Sequence, residues 1–118
     1  MAMKIVYIAG PYSDKGGYLA IDRNIAQARE AAAWLADNGI GFFCPHLNSA
    51  HFEVISSQSN LWWRELDMHF LKQCDWMLML PGWERSEGAR LERETFGERY
   101  AVEWKDREIL LEWAAAYP

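Results

Sequence analysis

Three positions hold most of the chemical information in this chain: Glu92, Asp67 and Tyr7. The segment Leu80-Pro81-Gly82-Trp83-Glu84-Arg85-Ser86-Glu87-Gly88-Ala89-Arg90-Leu91-Glu92 follows an apolar run and opens into a helical pattern. Ser86 is a good N-cap, and Gly88 and Ala89 keep the first turn bare. Glu92 lies one turn beyond Gly88 on the same face. A small polar ligand resting on the helix start therefore meets backbone amides and one carboxylate. Ser86 and the amides of Gly88 and Ala89 form either an ordinary cap or an anion site, with the charge of Glu87 opposing a bound phosphate. Glu92 has five glutamate neighbours in this stretch, Glu84, Glu87, Glu94, Glu98 and Glu103. The competing reading of such a run is a solvated face, and alignment with the two small residues is what sets Glu92 apart.

Asp67 sits in Trp63-Arg64-Glu65-Leu66-Asp67. It is either a half-exposed helix residue paired with Arg64 or Lys72, or a second carboxylate facing Glu92. In a retaining glycosyl transfer two such groups stand about 5 Å apart, one as nucleophile and one as acid. Proximity also separates their pKa values and keeps one protonated. Tyr7 falls within the apolar run Lys4-Ile5-Val6-Tyr7-Ile8-Ala9 and points opposite to Val6 and Ile8. It is a core tyrosine or a hydroxyl that orients a carboxylate. His46, His51 and His69 lack metal-ligand spacing and there is no Cys/His cluster, so no metal is expected.

The elements that must position these groups alternate. Lys4–Ala9 reads as a strand buried on both faces. A helix follows from about Asp22 to Asn38, with Ile25, Ala28, Ala32 and Leu35 as its apolar stripe and Gly39 as its left-handed stop. Ile40–Cys44 is a second strand, ended by Pro45-His46. Leu47 to Ser59 is a long polar loop suited to covering a site. A helix from about Asn60 to Gln73, with Leu66, Phe70 and Cys74 on its buried side, leads to a third strand over Asp75–Leu80. The next helix spans Ser86 to about Tyr100, with Ala89, Phe96 and Tyr100 inward. The tail is either a strand at Glu108–Leu111 or a helix from about Arg107 to Ala116.

This alternation implies a parallel sheet covered by helices on both faces. In such sheets ligands bind outside the C-terminal strand ends, where strand order reverses. Gly10 to Ser13, Pro45 to Asn48 and Pro81 to Ser86 should therefore converge on one crevice. Gly10, Pro11, Ser13, His46, Trp83, Ser86 and Gly88 are accordingly the candidate substrate-binding residues. Asp75 lies at the opposite strand end and is assigned a structural role.

At 118 residues the chain suits one compact domain, 1–118. Its formal net charge of −5 disfavours a nucleic-acid polymer and leaves a mononucleotide or nucleoside as the plausible base-containing ligand. Cys44 and Cys74 read as buried thiols of a reducing compartment. With no signal peptide visible and no run of about 18 apolar residues, a cytoplasmic protein without membrane contact is expected. Seven tryptophans exceed what so small a core holds. They point to a homo-oligomer, a dimer or larger, or to stacking on a base.

Taken together, Val6-Tyr7-Ile8-Ala9-Gly10, Asp67 before Cys74-Asp75, and Ser86-x-Gly88-x-x-x-Glu92 resemble the nucleoside 2-deoxyribosyltransferase superfamily. The similarity is greatest to its short members, such as the 2'-deoxynucleoside 5'-phosphate N-hydrolases, and spans the first strand to about Tyr100. The resemblance implies a flavodoxin-like (Rossmann-like) three-layer α/β sandwich with a parallel sheet of four to five strands. It implies cleavage of an N-glycosidic bond without a cofactor. Glu92 matches the nucleophile that forms a covalent glycosyl-enzyme, Asp67 the acid assisting the leaving base, and Tyr7 the hydroxyl beside the nucleophile. Ser86 and Gly88 match positions that contact the 5' end of the ligand. The first loop reads Pro11-Tyr12-Ser13-Asp14-Lys15, unlike the Ser/Arg/Gly-rich loop of monophosphate hydrolases. The choice of nucleoside or 5'-monophosphate, and of hydrolysis or transfer, stays open. The rival functions are a non-catalytic nucleotide-binding module and an interaction protein assembled through its tryptophans.

Overall fold

A computed structural model describes residues 3–13 and 16–116. Strand β1 (Ile5–Ala9) is followed by helix α1 (Gly17–Asp37), β2 (Gly41–Phe43), the single-turn helix α2 (Pro45–Asn48), α3 (Asn60–Leu71) and β3 (Trp76–Met79). Then come α4 (Glu87–Phe96), β4 (Ala101–Glu103) and α5 (Glu108–Ala116). The four strands form one all-parallel sheet in the order β2-β1-β3-β4. The chain leaves β1 toward one neighbour and returns to place β3 on its other side, so strand order reverses at β1. This is a three-layer α/β architecture of the flavodoxin-like kind.

Side chains of β1 alternate between two cores. Val6 and Ile8 pack with Ala28, Ala31, Ala32 and Leu35 of α1, with Leu78 and Val102 of the sheet and with Leu110 of α5. Tyr7 and Ala9 point the other way, onto Met77 and Met79, Leu71 of α3 and Ala89 of α4. The sheet is thus buried on both faces, as the unbroken apolar runs of β1 and β3 require. Helices α3 and α4 share the layer onto which Tyr7 points.

Helix α1 starts at Gly17, five residues before the expected Asp22, because buried Ala20 and Ile21 extend the stripe of Ile25, Ala28, Ala32 and Leu35. It stops as expected, with Gly39 at φ 72°. Of the residues expected on the inward side of α3, Cys74 packs against the core, whereas Leu66 and Phe70 do not. Leu71 is the buried residue, with Met68 and Cys74 packed beside it, while Phe70 is 36% exposed and stacks on Phe43 at 4.3 Å. The expected helix over Ser86–Tyr100 ends at Phe96, because Gly97 turns the backbone to φ 111°. Tyr100 is exposed, and the last strand is Ala101–Glu103, whose Val102 sits opposite Leu78. The tail is helical, so Glu108–Leu111 is not a strand. The segment Leu47–Ser59 is less irregular than expected: α2 covers its start and a 3₁₀ turn spans Phe52–Val54.

Asp75 performs the structural role expected of it. Its Oδ2 accepts from the Ile5 amide at 2.9 Å and its own amide donates to the Ile5 carbonyl at 2.8 Å, tying β1 to β3 at the end away from the crevice. No helix among the described residues is long and apolar enough to cross a membrane.

Candidate active site

At the opposite strand ends, β1 and β3 come so close that a Cβ on Gly10 would lie 2.8 Å from the Leu80 Cβ. Glycine is the residue that permits this approach. The crevice above it has a volume of about 610 Å³. The three expected loops do converge there, through Gly10, Tyr12 and Ser13, then Pro45 and His46, then Arg85 and Ser86. Residues Ser49, Phe52 and Glu53 form a further wall, consistent with a covering segment. Lys15, singled out in the first loop, lies outside the described residues.

Four carboxylates line this crevice: Glu53, Asp67, Glu87 and Glu92. Helix α3 supplies Asp67 and helix α4 supplies Glu92. Tyr7 lies fully buried beneath them and its hydroxyl donates to Glu92 Oε2. The three residues come from separate elements and meet because α3 and α4 cover the sheet face onto which Tyr7 points. Asp67 Oδ1 is buried with no hydrogen-bond partner among the described residues. A buried acceptor left unsatisfied is costly, and a ligand donor in the crevice would satisfy it.

Burial dominates the electrostatics. It pushes Glu92 up to about 7, with Asp67 adding to the rise, while the Tyr7 hydrogen bond and the Arg64 guanidinium act against it. Burial alone pushes Asp67 up to about 6. The two carboxyls titrate as a coupled pair, and between those values the pair holds one proton. Burial, reinforced by both carboxylates, raises the Tyr7 hydroxyl above its ordinary range, so it remains a donor.

The start of α4 is built as expected. The Ser86 Oγ accepts from the Ala89 amide at 3.2 Å, and Gly88 lines the crevice. A Cβ on Gly88 would meet no atom within 4 Å. Its bareness therefore serves no internal packing and leaves open the space beside Glu92. His46 lines the crevice too, but both of its ring nitrogens are engaged. Nε2 lies 2.7 Å from the Pro11 carbonyl, which can only accept, so Nε2 carries the proton. Nδ1 faces the Cys44 thiol at 3.7 Å. Burial lowers the His46 pKa, so the ring is a neutral latch between the first and second loops. Pro11 contributes that carbonyl rather than a wall of the crevice.

Trp83 is not a wall of the crevice. It follows Gly82, held at φ 90°, and packs against the buried cluster on the Tyr7 face of the sheet. Arg93 stacks on its ring at 4.7 Å and its Nε1 donates to Glu103 at 3.4 Å. The aromatic wall is instead Trp63 of α3, edge-on to Phe52 at 5.6 Å. Asn60, Arg64 and Glu53 also line the space, with Tyr12 donating to Glu53 at 3.0 Å. Trp63 and Arg64 stand four and three residues before Asp67 on the same helix face, a signal that counts only once Asp67 is known to face the crevice. Phe52 and Glu53 carried no local signal. Trp34, Trp76, Trp104 and Trp113 are half-buried against the other core.

Among the described residues, no group of three or more His, Cys, Asp or Glu side chains could hold a metal ion. A family model described as a domain of unknown function, DUF4406, matches residues 4–100. No curated protein matches the chain. The matched span takes in Tyr7, Asp67, Ser86, Gly88 and Glu92 and covers most of the 118 residues, and the chain belongs to the DUF4406 family.

Proposed function

We propose that the protein cleaves the N-glycosidic bond of a 2'-deoxynucleoside or its 5'-monophosphate, with water or a second base as acceptor. The observation that carries this reading is the buried contact between Tyr7 and Glu92 in a crevice shared with Asp67. In the reaction, the Glu92 carboxylate attacks C1' of the sugar while Asp67 gives a proton to the departing base. The bond from C1' to the base nitrogen breaks and an ester to Glu92 forms. Water, deprotonated by Asp67, then releases the sugar and restores both groups. Tyr7 fixes the orientation of the nucleophile, and the Trp63–Phe52 wall offers a surface on which the base stacks.

Incubation with deoxynucleosides and deoxynucleotides, with free base followed chromatographically, tests the proposal. Glu92→Ala is expected to lose at least about 10³-fold in rate, and the wild type to show a sugar adduct on the peptide containing Glu92 by mass spectrometry. Unchanged turnover in Glu92→Ala would remove Glu92 from the mechanism. One observation favours a second reading. A carboxyl raised to about 7 is half protonated at neutral pH, and a protonated Glu92 is no nucleophile. That suits a module that binds a nucleotide without turnover. Saturable binding by calorimetry, with no base released from any ligand, would select it.

A further inference from the structure

One carboxylate of the crevice stands apart from the Tyr7–Glu92 contact. Glu53 lies in the 3₁₀ turn Phe52–Val54 and lines the space beside the aromatic wall. Phe52, its neighbour in the chain, is edge-on to Trp63 at 5.6 Å. Asn60, Trp63, Arg64 and Asp67 line the crevice from one face of α3. With a rise of about 1.5 Å per residue, Trp63 stands about 6 Å along the helix from Asp67, and Asn60 about 10 Å. A sugar held at Glu92 and Asp67 therefore sends its base along this face toward Trp63 and Phe52. The far edge of the base then meets the segment that carries Glu53.

That segment is tied down. The Tyr12 hydroxyl donates to Glu53, lying 3.0 Å from each carboxylate oxygen, and accepts from the His51 amide at 2.7 Å. Asn24 Nδ2 donates to the Tyr12 carbonyl at 2.8 Å, and His51 Nε2 lies 2.9 Å from Asp22 Oδ1. His51 adopts φ 61°, a left-handed backbone that residues other than glycine rarely take. The phenol supplies a single proton, whereas a carboxylate accepts about four bonds, so Glu53 keeps acceptor capacity.

We propose that Glu53 is a specificity-determining residue: its carboxylate accepts from an exocyclic amino group of the base, so the crevice prefers 2'-deoxycytidine and 2'-deoxyadenosine over their keto counterparts, 2'-deoxyuridine and 2'-deoxyinosine. A carboxylate and a keto oxygen both only accept, so a keto group at that edge sets two acceptors against each other. Asn60 lines the same wall, but its amide both donates and accepts and does not discriminate. A site built to hydrogen-bond one ligand group rejects the analogue that lacks it.

This base preference rests on the N-glycosidic reading, and binding separates the two. The four compounds, as nucleosides and as 5'-monophosphates, are titrated by calorimetry into the full chain carrying Glu92→Gln, so that ligand is not consumed. Within whichever pair binds, the amino base is expected to bind about tenfold tighter, the lower end for a bond to a charged group because the Glu53 side chain is 41% exposed. Glu53→Gln, whose amide can donate to a keto oxygen, should bring the members of a pair to within about twofold of each other while the melting temperature is kept. Equal or tighter binding of the keto base overturns the proposal, as does a preference that Glu53→Gln leaves unchanged. In either case, base released from the nucleosides by the wild type leaves the N-glycosidic reading standing. No binding of any of these compounds, together with no base released by the wild type, overturns both.

Discussion

The two faces of the sheet are built from the same strands and serve different ends. On the α1/α5 face, Val6, Ile8, Leu35, Leu78 and Leu110 are fully buried and apolar. On the α3/α4 face the same strand contributes Tyr7, and the helices above it bring in Asp67 and Glu92. The first face maximises apolar burial. The second encloses two carboxyls at the cost of raising both above their ordinary range. The contrast shows where this small domain places chemistry: on the face where covering helices meet a strand end, while the opposite face supplies the stability that the strained charges remove.

Substitutions on each face test that division. Leu35→Ala, on the apolar face, should cost about 2–5 kcal/mol in chemical denaturation, while the folded fraction keeps its ligand binding. A specific loss of binding by folded Leu35→Ala protein would break the division. Tyr7→Phe, on the other face, removes the hydrogen bond to Glu92. Bonds to charged groups contribute about 1.5–3 kcal/mol, so turnover should fall roughly 10- to 100-fold while most of the stability remains.

The pH dependence of stability sharpens the same comparison. Asp67 and Glu92 have raised pKa values in the folded state, so between the ordinary carboxylate range and about 7 the folded chain holds more protons than the unfolded one. Their contribution to stability is therefore greatest at acid pH and declines as pH rises through that window. Glu92→Gln removes one of the two charges. It should stabilise the protein by roughly 1–3 kcal/mol at pH 8 and by little at pH 4, as read by thermal melts at both pH values. A gain equal at both would show that burial of charge is not its source. The smallest effect is expected at the rim. Trp63→Ala should raise KM roughly tenfold through lost base stacking, with kcat little changed, while Trp83→Ala should leave KM near wild type.

Much of this arrangement was legible in the residues. The alternation in β1 placed Tyr7 opposite Val6 and Ile8, and Ser86 and Gly88 marked the start of α4 one turn before Glu92. The convergence of three loops followed from parallel strand order. The inward face of α3 was not legible, because Leu66 and Phe70 make as good an apolar stripe as Met68 and Leu71. Nor was β4, whose three residues follow a strong helical pattern that only Gly97 interrupts. Trp83 lies three residues before Ser86 and is the expected binding residue, and only the fold shows that Trp63 lines the crevice in its place.

The sequence by itself determined the periodicities, the caps and the supply of carboxylates, because these depend on backbone geometry within a few residues. Tertiary structure alone decided which side of α3 meets the sheet, which tryptophan reaches the crevice, and that Arg64 shares it with Glu92. Those outcomes depend on burial against segments distant along the chain, and a local pattern with two acceptable faces holds no information about which one the rest of the molecule will cover.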